Sequence, residues 1–319
     1  MMENKQPPEN DRPWKISIVT PVYFNEQSLP HLFEALQSIE NRLLEKNVVM
    51  ELIFVDDGSG DGSLKELLKI KQRRQSTKVI KLTRNFGAVH AGKAGLQFVT
   101  GDCFLVLAAD LQDSPELILS MVDKWLAGGK FIMCQRTHRD DPTASKLFAY
   151  IFYRLVRFFV IENYPSLGYG MALMDRAALP YMQKSGKNIN PPLLAYWLGF
   201  QPEVILYERQ KRVHGKSRWT FRKRVKLFLD SLLGLSAAPI RLISLIGVLV
   251  SIASFGYGIF IVISALRGKT VVQGFATIAT ILSLLLGMVI IMLGVIGEYI
   301  WRILDELNKR PEVVIDEIY

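Results

Sequence analysis

Two long runs near the C-terminus lack charge altogether: none lies between Arg241 and Arg267, and none between Thr270 and Gly297. A helix crosses the hydrocarbon core of a bilayer with roughly 20 apolar residues, so each run is long enough to span. Only Arg267, Gly268, Lys269 and their neighbours separate the two. The pattern predicts a two-helix transmembrane hairpin over residues 242–300; the competing arrangement is a helical hairpin buried in a large soluble core. Lysines and arginines crowd the stretch from Arg209 to Arg241, and Arg302, Lys309 and Arg310 follow the second run. With only Arg267 and Lys269 between the runs, the positive-inside bias predicts a multi-pass protein of the inner (cell) membrane. Both termini and the domain preceding the hairpin are then expected in the cytoplasm.

Charge is plentiful up to Arg241, so the first part of the chain reads as a soluble domain. The net charge of +9 suits anionic lipid headgroups or phosphorylated substrates. The excess gathers beside the apolar runs, which favours membrane lipids over nucleic acid as the partner. Cys103 and Cys134 are too few for a disulfide framework and each sits in an apolar run, as buried strand thiols do. The opening MMENKQPPENDRP has no apolar core and is not a cleavable signal peptide; residues 1–14 are expected to be a disordered tail.

From Lys15, short apolar runs alternate with helix-like stretches. ISIVTPVY, ELIFVDD, KVIKLTR and CFLVLAAD read as strands. SLPHLFEALQSIENRLLEK, with Ser28 as its cap, GSLKELLKIKQRR and GAVHAGKAGLQFV read as the helices between them. Strands this apolar, joined through helices, predict βαβ units and a parallel sheet covered on both faces. Such a sheet binds ligands at the carboxyl ends of its strands. Two more segments carry a basic and an apolar face: SKLFAYIFYRLVRFFV (145–160) and FRKRVKLFLDSLLGL (221–235). Helices of this kind lie in the headgroup region, although the first could equally pack on the domain. The second belongs to an expected juxtamembrane amphipathic helix over 219–241.

The strand ends carry the chemistry. PVYFNE (Pro21 to Glu26) closes the first and VDDGSGDGS (Val55 to Ser63) the second. A carboxylate there can accept hydrogen bonds from a base or ribose; an Asx turn capping the next helix is the plainer reading. In CFLVLAADLQDSPE, Asp110, Gln112 and Asp113 follow a very apolar strand. Hard oxygen ligands in that position suit Mg²⁺ or Mn²⁺ bridging a diphosphate, where the charge of a departing group would be neutralised. The alternative is a solvated turn with Ser114 as helix cap.

Taken in order, PVYFNE, VDDGSGDGS, LTRNFGAVHAG (Leu82 to Gly92), ADLQDSPE (Ala109 to Glu116), LMDR (Leu173 to Arg176), HGKSRW (His214 to Trp219) and GVIGEYIWRILDE (Gly294 to Glu306) resemble the family 2 glycosyltransferases. The likeness is to the branch that includes dolichol-phosphate mannose synthase and the bacterial polyprenyl-phosphate (bactoprenol) glycosyltransferases, and it covers almost the whole chain. It implies an α/β, GT-A (Rossmann-like) domain over 15–218 with a mostly parallel sheet, interfacial helices, the transmembrane hairpin and a cytoplasmic tail over 301–319. It also implies roles. Pro21, Tyr23, Asn25 and Glu26 would line the pocket of a nucleotide-sugar donor, Asp57 would hold its base or ribose, and Arg84 and Asn85 would lie nearby. Asp110 and Gln112 would hold the metal, Asp113 would stand beside them as a further catalytic carboxylate, and Lys216 and Arg218 would contact phosphates of donor or acceptor.

Two positions depart from the family pattern. Ala108 stands where the metal motif has its first Asp, and Gly170 where a carboxylate, often proposed as the base, precedes the LMDR-like run. A hydroxyl acceptor benefits from a base, but a phosphate monoester, with a second pKa of about 6, is largely a dianion at neutral pH. The departure therefore leans towards a polyprenyl (undecaprenyl) phosphate acceptor, positioned by cations. The expected reaction is metal-dependent and inverting, for cell-envelope glycan or lipopolysaccharide modification, with a homo-oligomer left open. The rivals are transfer to a lipid or glycan hydroxyl, with Asp113 or Asp140 as base, and a non-catalytic scaffold that binds nucleotide-sugar.

Overall fold

The computed structural model describes residues 12–138, 143–162, 164–165, 168–187, 189, 191–210, 230, 236, 238–267, 275–308 and 310–319. In chain order the elements are β1 (Trp14–Val22), α1 (Leu29–Leu44), β2 (Val48–Asp56), α2 (Ser63–Arg73), β3 (Lys78–Leu82) and α3 (Ala88–Leu96). Then come β4 (Cys103–Val106), α4 (Leu117–Leu126), β5 (Phe131–Arg136), α5 (Thr143–Phe159), β6 (Tyr169–Asp175), α6 (Leu179–Gln183), α7 (Pro191–Trp197) and β7 (Glu203–Tyr207). The chain ends with α8 (Ala238–Leu266), α9 (Phe275–Leu307) and β8 (Ile315–Ile318).

The strands form one mixed sheet of eight, in the order β7-β5-β6-β4-β1-β2-β3-β8. β1 pairs in parallel with β2 and β4, β2 with β3, and β5 with β7. β6 runs against both β4 and β5, and β8 against β3. The carboxyl ends of β1 to β5 and β7, and the amino ends of β6 and β8, consequently share one edge of the sheet.

Period-two alternation divides the strands between two covered faces. Ile16, Ile18 and Val22 join a buried cluster with Leu32, Leu36 and Ile39 of α1 and Trp125 of α4. Val19 faces the other way, against Gly95 of α3, where an added Cβ would lie 3.1 Å from Val55 Cγ2. Each large apolar side chain buried in this way contributes about 1.5–3 kcal/mol. Both cysteines are buried and neither forms a disulfide; burial, reinforced by the charge of Asp113, pushes the Cys134 thiol up to about 12, so it is unreactive at neutral pH. Ser28 stands at the N-cap of α1, but its hydroxyl donates to the Asn25 carbonyl at 3.1 Å and caps no helix amide. Glu116, not Ser114, precedes α4.

Two compact units emerge: Met1–Gly234 with Pro311–Tyr319, and Leu235–Arg310. In the second, α8 and α9 contain windows, Ile240–Tyr257 and Leu285–Leu307, that are long and apolar enough to cross a membrane, none of whose described residues is buried. α9 runs on past residue 300, with Arg302 Nη2 and Glu298 Oε1 paired at 3.0 Å one turn apart. The chain then returns to the first unit. Tyr319 and Val79 exchange backbone hydrogen bonds at 2.8 and 3.2 Å, Lys81 Nζ meets Asp316 Oδ2 at 2.6 Å, and β8 covers the open edge of β3. The β-branched Val313, Val314, Ile315 and Ile318 are the sequence signal for this strand.

Towards the amino ends of the strands, a buried carboxylate ties four segments. Glu51 of β2 accepts from Ser17 Oγ at 2.6 Å, Thr100 N and Oγ1 at 2.9 and 2.8 Å, and Lys78 Nζ at 2.9 Å. Burial alone would raise its pKa, but these donors more than offset it and hold the carboxyl below the ordinary glutamate value. A depressed carboxylate contributes stability that is present above its unfolded pKa and lost as pH falls through its folded one. Glu51→Gln, which turns an amide group towards Lys78, is expected to cost about 1–3 kcal/mol at pH 7. Acid denaturation of the solubilised protein checks the sign: the variant should lose less stability than wild type between pH 5 and 3.

Candidate active site

On the β1–β3 side, three strand-end loops interlock. The Phe24 amide donates to Ser59 Oγ at 3.1 Å and the Asn25 amide to Ser63 Oγ at 2.8 Å. Asn25 Oδ1 accepts from the Tyr23 amide at 3.0 Å, and Glu26 Oε2 from the Gly62 amide at 3.0 Å. Asn25 and Glu26 thus shape the pocket wall through the loop that follows β2. Pro21, paired with Val55 in the sheet, anchors the wall, and Tyr23 packs edge-on against Phe24 with centroids 4.7 Å apart.

Asp57 organises the third loop. Its Oδ1 accepts from the Phe86 amide at 2.7 Å, and its Oδ2 from the Gly87 amide at 2.9 Å and Asn85 Nδ2 at 3.0 Å. Burial raises its pKa above the ordinary aspartate value, against the lowering effect of those amides. Gly58, at φ +66°, makes the approach possible: a Cβ there would lie 2.6 Å from the Arg84 carbonyl carbon. Arg84 reaches over the Phe86 ring at 4.0 Å, and its Nη1 donates to the Asn85 carbonyl at 3.1 Å. Every residue expected at the nucleotide pocket lies on this side of the edge.

After β4, the Leu107 amide still donates to Val19 at 2.8 Å, and the chain then turns sharply. Leu111 sits at φ +56° and Phe24, in the first loop, at φ +57°. Holding a bulky residue in the left-handed region costs about 1–3 kcal/mol, a strain that collects at functional loops. The turn sets Asp110 and Gln112 beside each other, with the Gln112 amide 3.3 Å from Asp110 Oδ1. Among the described residues no group of three or more His, Cys, Asp and Glu could hold a metal. The pair instead fits the mode natural to Mg²⁺, in which one or two carboxylates act with waters and substrate phosphates. Such a cation would come with a diphosphate.

Beyond Asp110 the ends of β5, β6 and β7 meet around Asp113, which is only 5% exposed. Tyr207 Oη donates a short hydrogen bond to Asp113 Oδ1, and Arg209 Nε lies 3.2 Å from the same oxygen. Arg136, closing β5, donates weakly from Nη2 to the Tyr169 carbonyl at 3.5 Å, while its buried Nε has no hydrogen-bond partner. Burial opposes the Arg136 charge, but Tyr207 and Asp113 outweigh it and hold its pKa above the ordinary value. Among the described residues, two guanidiniums therefore face the Asp113 carboxylate. Gly170, near the start of β6, adds no side chain. The Gln210 amide donates to the Gln112 carbonyl at 3.0 Å, joining the segment after β7 to the Asp110 loop.

Residues 17–181 match the profile described as glycosyl transferase family 2. The chain belongs to that family. It is 34% identical over 95% of its length to an uncharacterized glycosyltransferase of Bacillus subtilis (strain 168), 94% of which is covered. An uncharacterized glycosyltransferase of Synechocystis (strain PCC 6803) is 32% identical over 96% of both chains. A prophage-derived bactoprenol glucosyl transferase of Shigella flexneri is 29% identical, over 94% of this chain and 97% of its own.

Lys216, Arg218 and Asp140 lie outside the described residues. Conversely, Arg136, Tyr207 and Arg209 had no signal in any single segment, because they meet only where β5 and β7 pair. His90 and Lys93 are spaced one helical turn apart on α3. Their partner is Glu312 in the returning tail, 2.7 Å from His90 Nδ1 and 2.8 Å from Lys93 Nζ; nothing in the local sequence reveals it.

Gly58→Ala tests the interlock. The new methyl must push away the Arg84–Asn85 backbone at a positive φ, a cost of about 1–3 kcal/mol. We expect a lower melting temperature and at least a tenfold fall in glycosyl transfer, measured by thermal unfolding and sugar-transfer assay.

Proposed function

We propose that this family 2 glycosyltransferase moves a sugar from a nucleotide-sugar to a polyprenyl phosphate at the cytoplasmic face of the membrane. The observation that carries the reading is the division of the sheet edge. The interlocked loops of β1–β3 stand on one side, the Arg136–Arg209 pair on the other, and Asp110 with Gln112 between. The bactoprenol glucosyl transferase relative supports the same acceptor class.

The nucleotide packs against Tyr23, Asp57 and the loop at Arg84 and Asn85, which leaves its diphosphate at the end of β4. Asp110 and Gln112 would hold Mg²⁺ or Mn²⁺ there, and the cation would supply charge neutralisation for the departing nucleoside diphosphate. Arg136 and Arg209, joined by Lys216 and Arg218, orient the lipid phosphate. One of its oxygens attacks the anomeric carbon as the bond to the diphosphate oxygen breaks, with inversion. No base is required, since the acceptor, with a second pKa of about 6, already carries its charge at neutral pH. Transfer to a hydroxyl would call on Asp113, whose Oδ1 instead accepts from Tyr207.

The hairpin anchors the enzyme beside its acceptor. That the first unit includes residues on both sides of α8 and α9 supports a hairpin whose two ends lie on one side of the membrane. The basic flanks assign that side to the cytoplasm.

Purified protein given undecaprenyl phosphate, labelled nucleotide-sugars and Mn²⁺ or Mg²⁺ is expected to yield an acid-labile labelled lipid. Chelation should suppress it. Asp110→Ala should lower turnover by at least ~100-fold while membrane insertion is unchanged. Nucleotide binding without turnover on any donor would favour a scaffold, and full activity of the variant would remove the metal assignment.

A further inference from the structure

Gly170 does not adopt a left-handed backbone, so its lack of a side chain serves space, not conformation. A Cβ there would lie 2.8 Å from Tyr207 Cζ and 2.7 Å from Asp113 Oδ1, and closer still to the phenol oxygen. The Tyr207 hydroxyl occupies the hole that Gly170 leaves. It is 7% exposed and hydrogen-bonded to Asp113.

The placement matters because of what else surrounds Asp113. Arg209 Nε stands 3.2 Å from Oδ1 yet makes no hydrogen bond, and the buried Nε of Arg136 also has no acceptor. An aspartate with free rotation would turn towards a guanidinium and bind it through both oxygens, the strong geometry for this pair. That would occupy the N–H donors a phosphate needs. Here the hydroxyl restrains the carboxylate. Burial, then the Asp113 charge, raise the phenol's pKa, so Tyr207 remains a proton donor across the neutral range.

We propose that Tyr207 is a positioning residue for the acceptor phosphate: seated in the space left by Gly170, it restrains Asp113 so that Arg136 and Arg209 remain available to a phosphate monoester. The inference rests on the polyprenyl-phosphate reading above and adds to it the restraint that keeps the cations open. It also gives Gly170 a role, since any side chain there displaces the hydroxyl.

The experiment is steady-state transfer to undecaprenyl phosphate by the full-length protein in detergent, varying acceptor and donor separately. Tyr207→Phe should raise the acceptor KM at least about fivefold, with kcat and donor KM within about twofold. Gly170→Ala should act the same way by a different route. The double variant should be no worse than Gly170→Ala alone, because both changes remove one restraint and neighbouring sites couple. A merely structural Tyr207 would lower kcat and thermal stability with both KM values unmoved; that result, or strictly additive variants, overturns the proposal while leaving the acceptor reading intact. Absence of transfer to undecaprenyl phosphate by the wild-type protein overturns the reading, and the proposal with it.

Discussion

Parallel pairing governs the rest of this molecule. A parallel strand cannot turn straight back, so each crossover returns to start the next strand from the same end. Six strands sharing one direction put six carboxyl ends along a single edge. The loops there need internal support, and Asp57 is the centre of it: one buried carboxylate holds the loop after β3 through two backbone amides and the Asn85 side chain. Because burial works against the charged form of Asp57, the carboxylate holds best where those donors are in place. The interlock with Ser59 and Ser63 extends the same frame to the first loop.

The two antiparallel strands modify this scheme in ways that bear on function. β6 brings Gly170 to the shared edge from the opposite direction, which leaves space beside it for the Tyr207 hydroxyl at the end of β7. β8 brings the end of the chain, after both membrane-length helices, to the outer side of β3. Through Glu312 it also reaches His90 and Lys93 of α3, the helix that follows the Asp57-held loop. The returning tail is therefore part of the sheet that carries the site.

How much of this is legible in the sequence depends on the range of the interaction. β1, β2 and β4 are readable because burial on both faces demands continuous apolar runs, and the hairpin because charge is absent over a bilayer's length. The loops are readable as motifs, yet the motifs do not disclose that Asn25, Glu26 and Asp57 accept from backbone amides of their own and neighbouring loops. Ser28 has the right identity and position for a cap but turns its hydroxyl to Asn25. The environment of Asp113 is the least legible, since it arises from residues 94 positions apart joined by a hydrogen bond. Gly170 reads in one dimension as a missing carboxylate; in three dimensions its position is filled by a phenol from β7 and an aspartate from the loop after β4.

An acceptor that brings its own negative charge needs cations and orientation more than a proton acceptor, and that is the role proposed for the β5–β7 side of the edge. The most direct test of this account is ³¹P NMR of undecaprenyl phosphate incubated with the protein and its nucleotide-sugar. The account predicts that the monoester resonance, which titrates near pH 6, is replaced by a phosphodiester resonance that does not move with pH in that range. Consumption of the donor with the monoester resonance unchanged would contradict it.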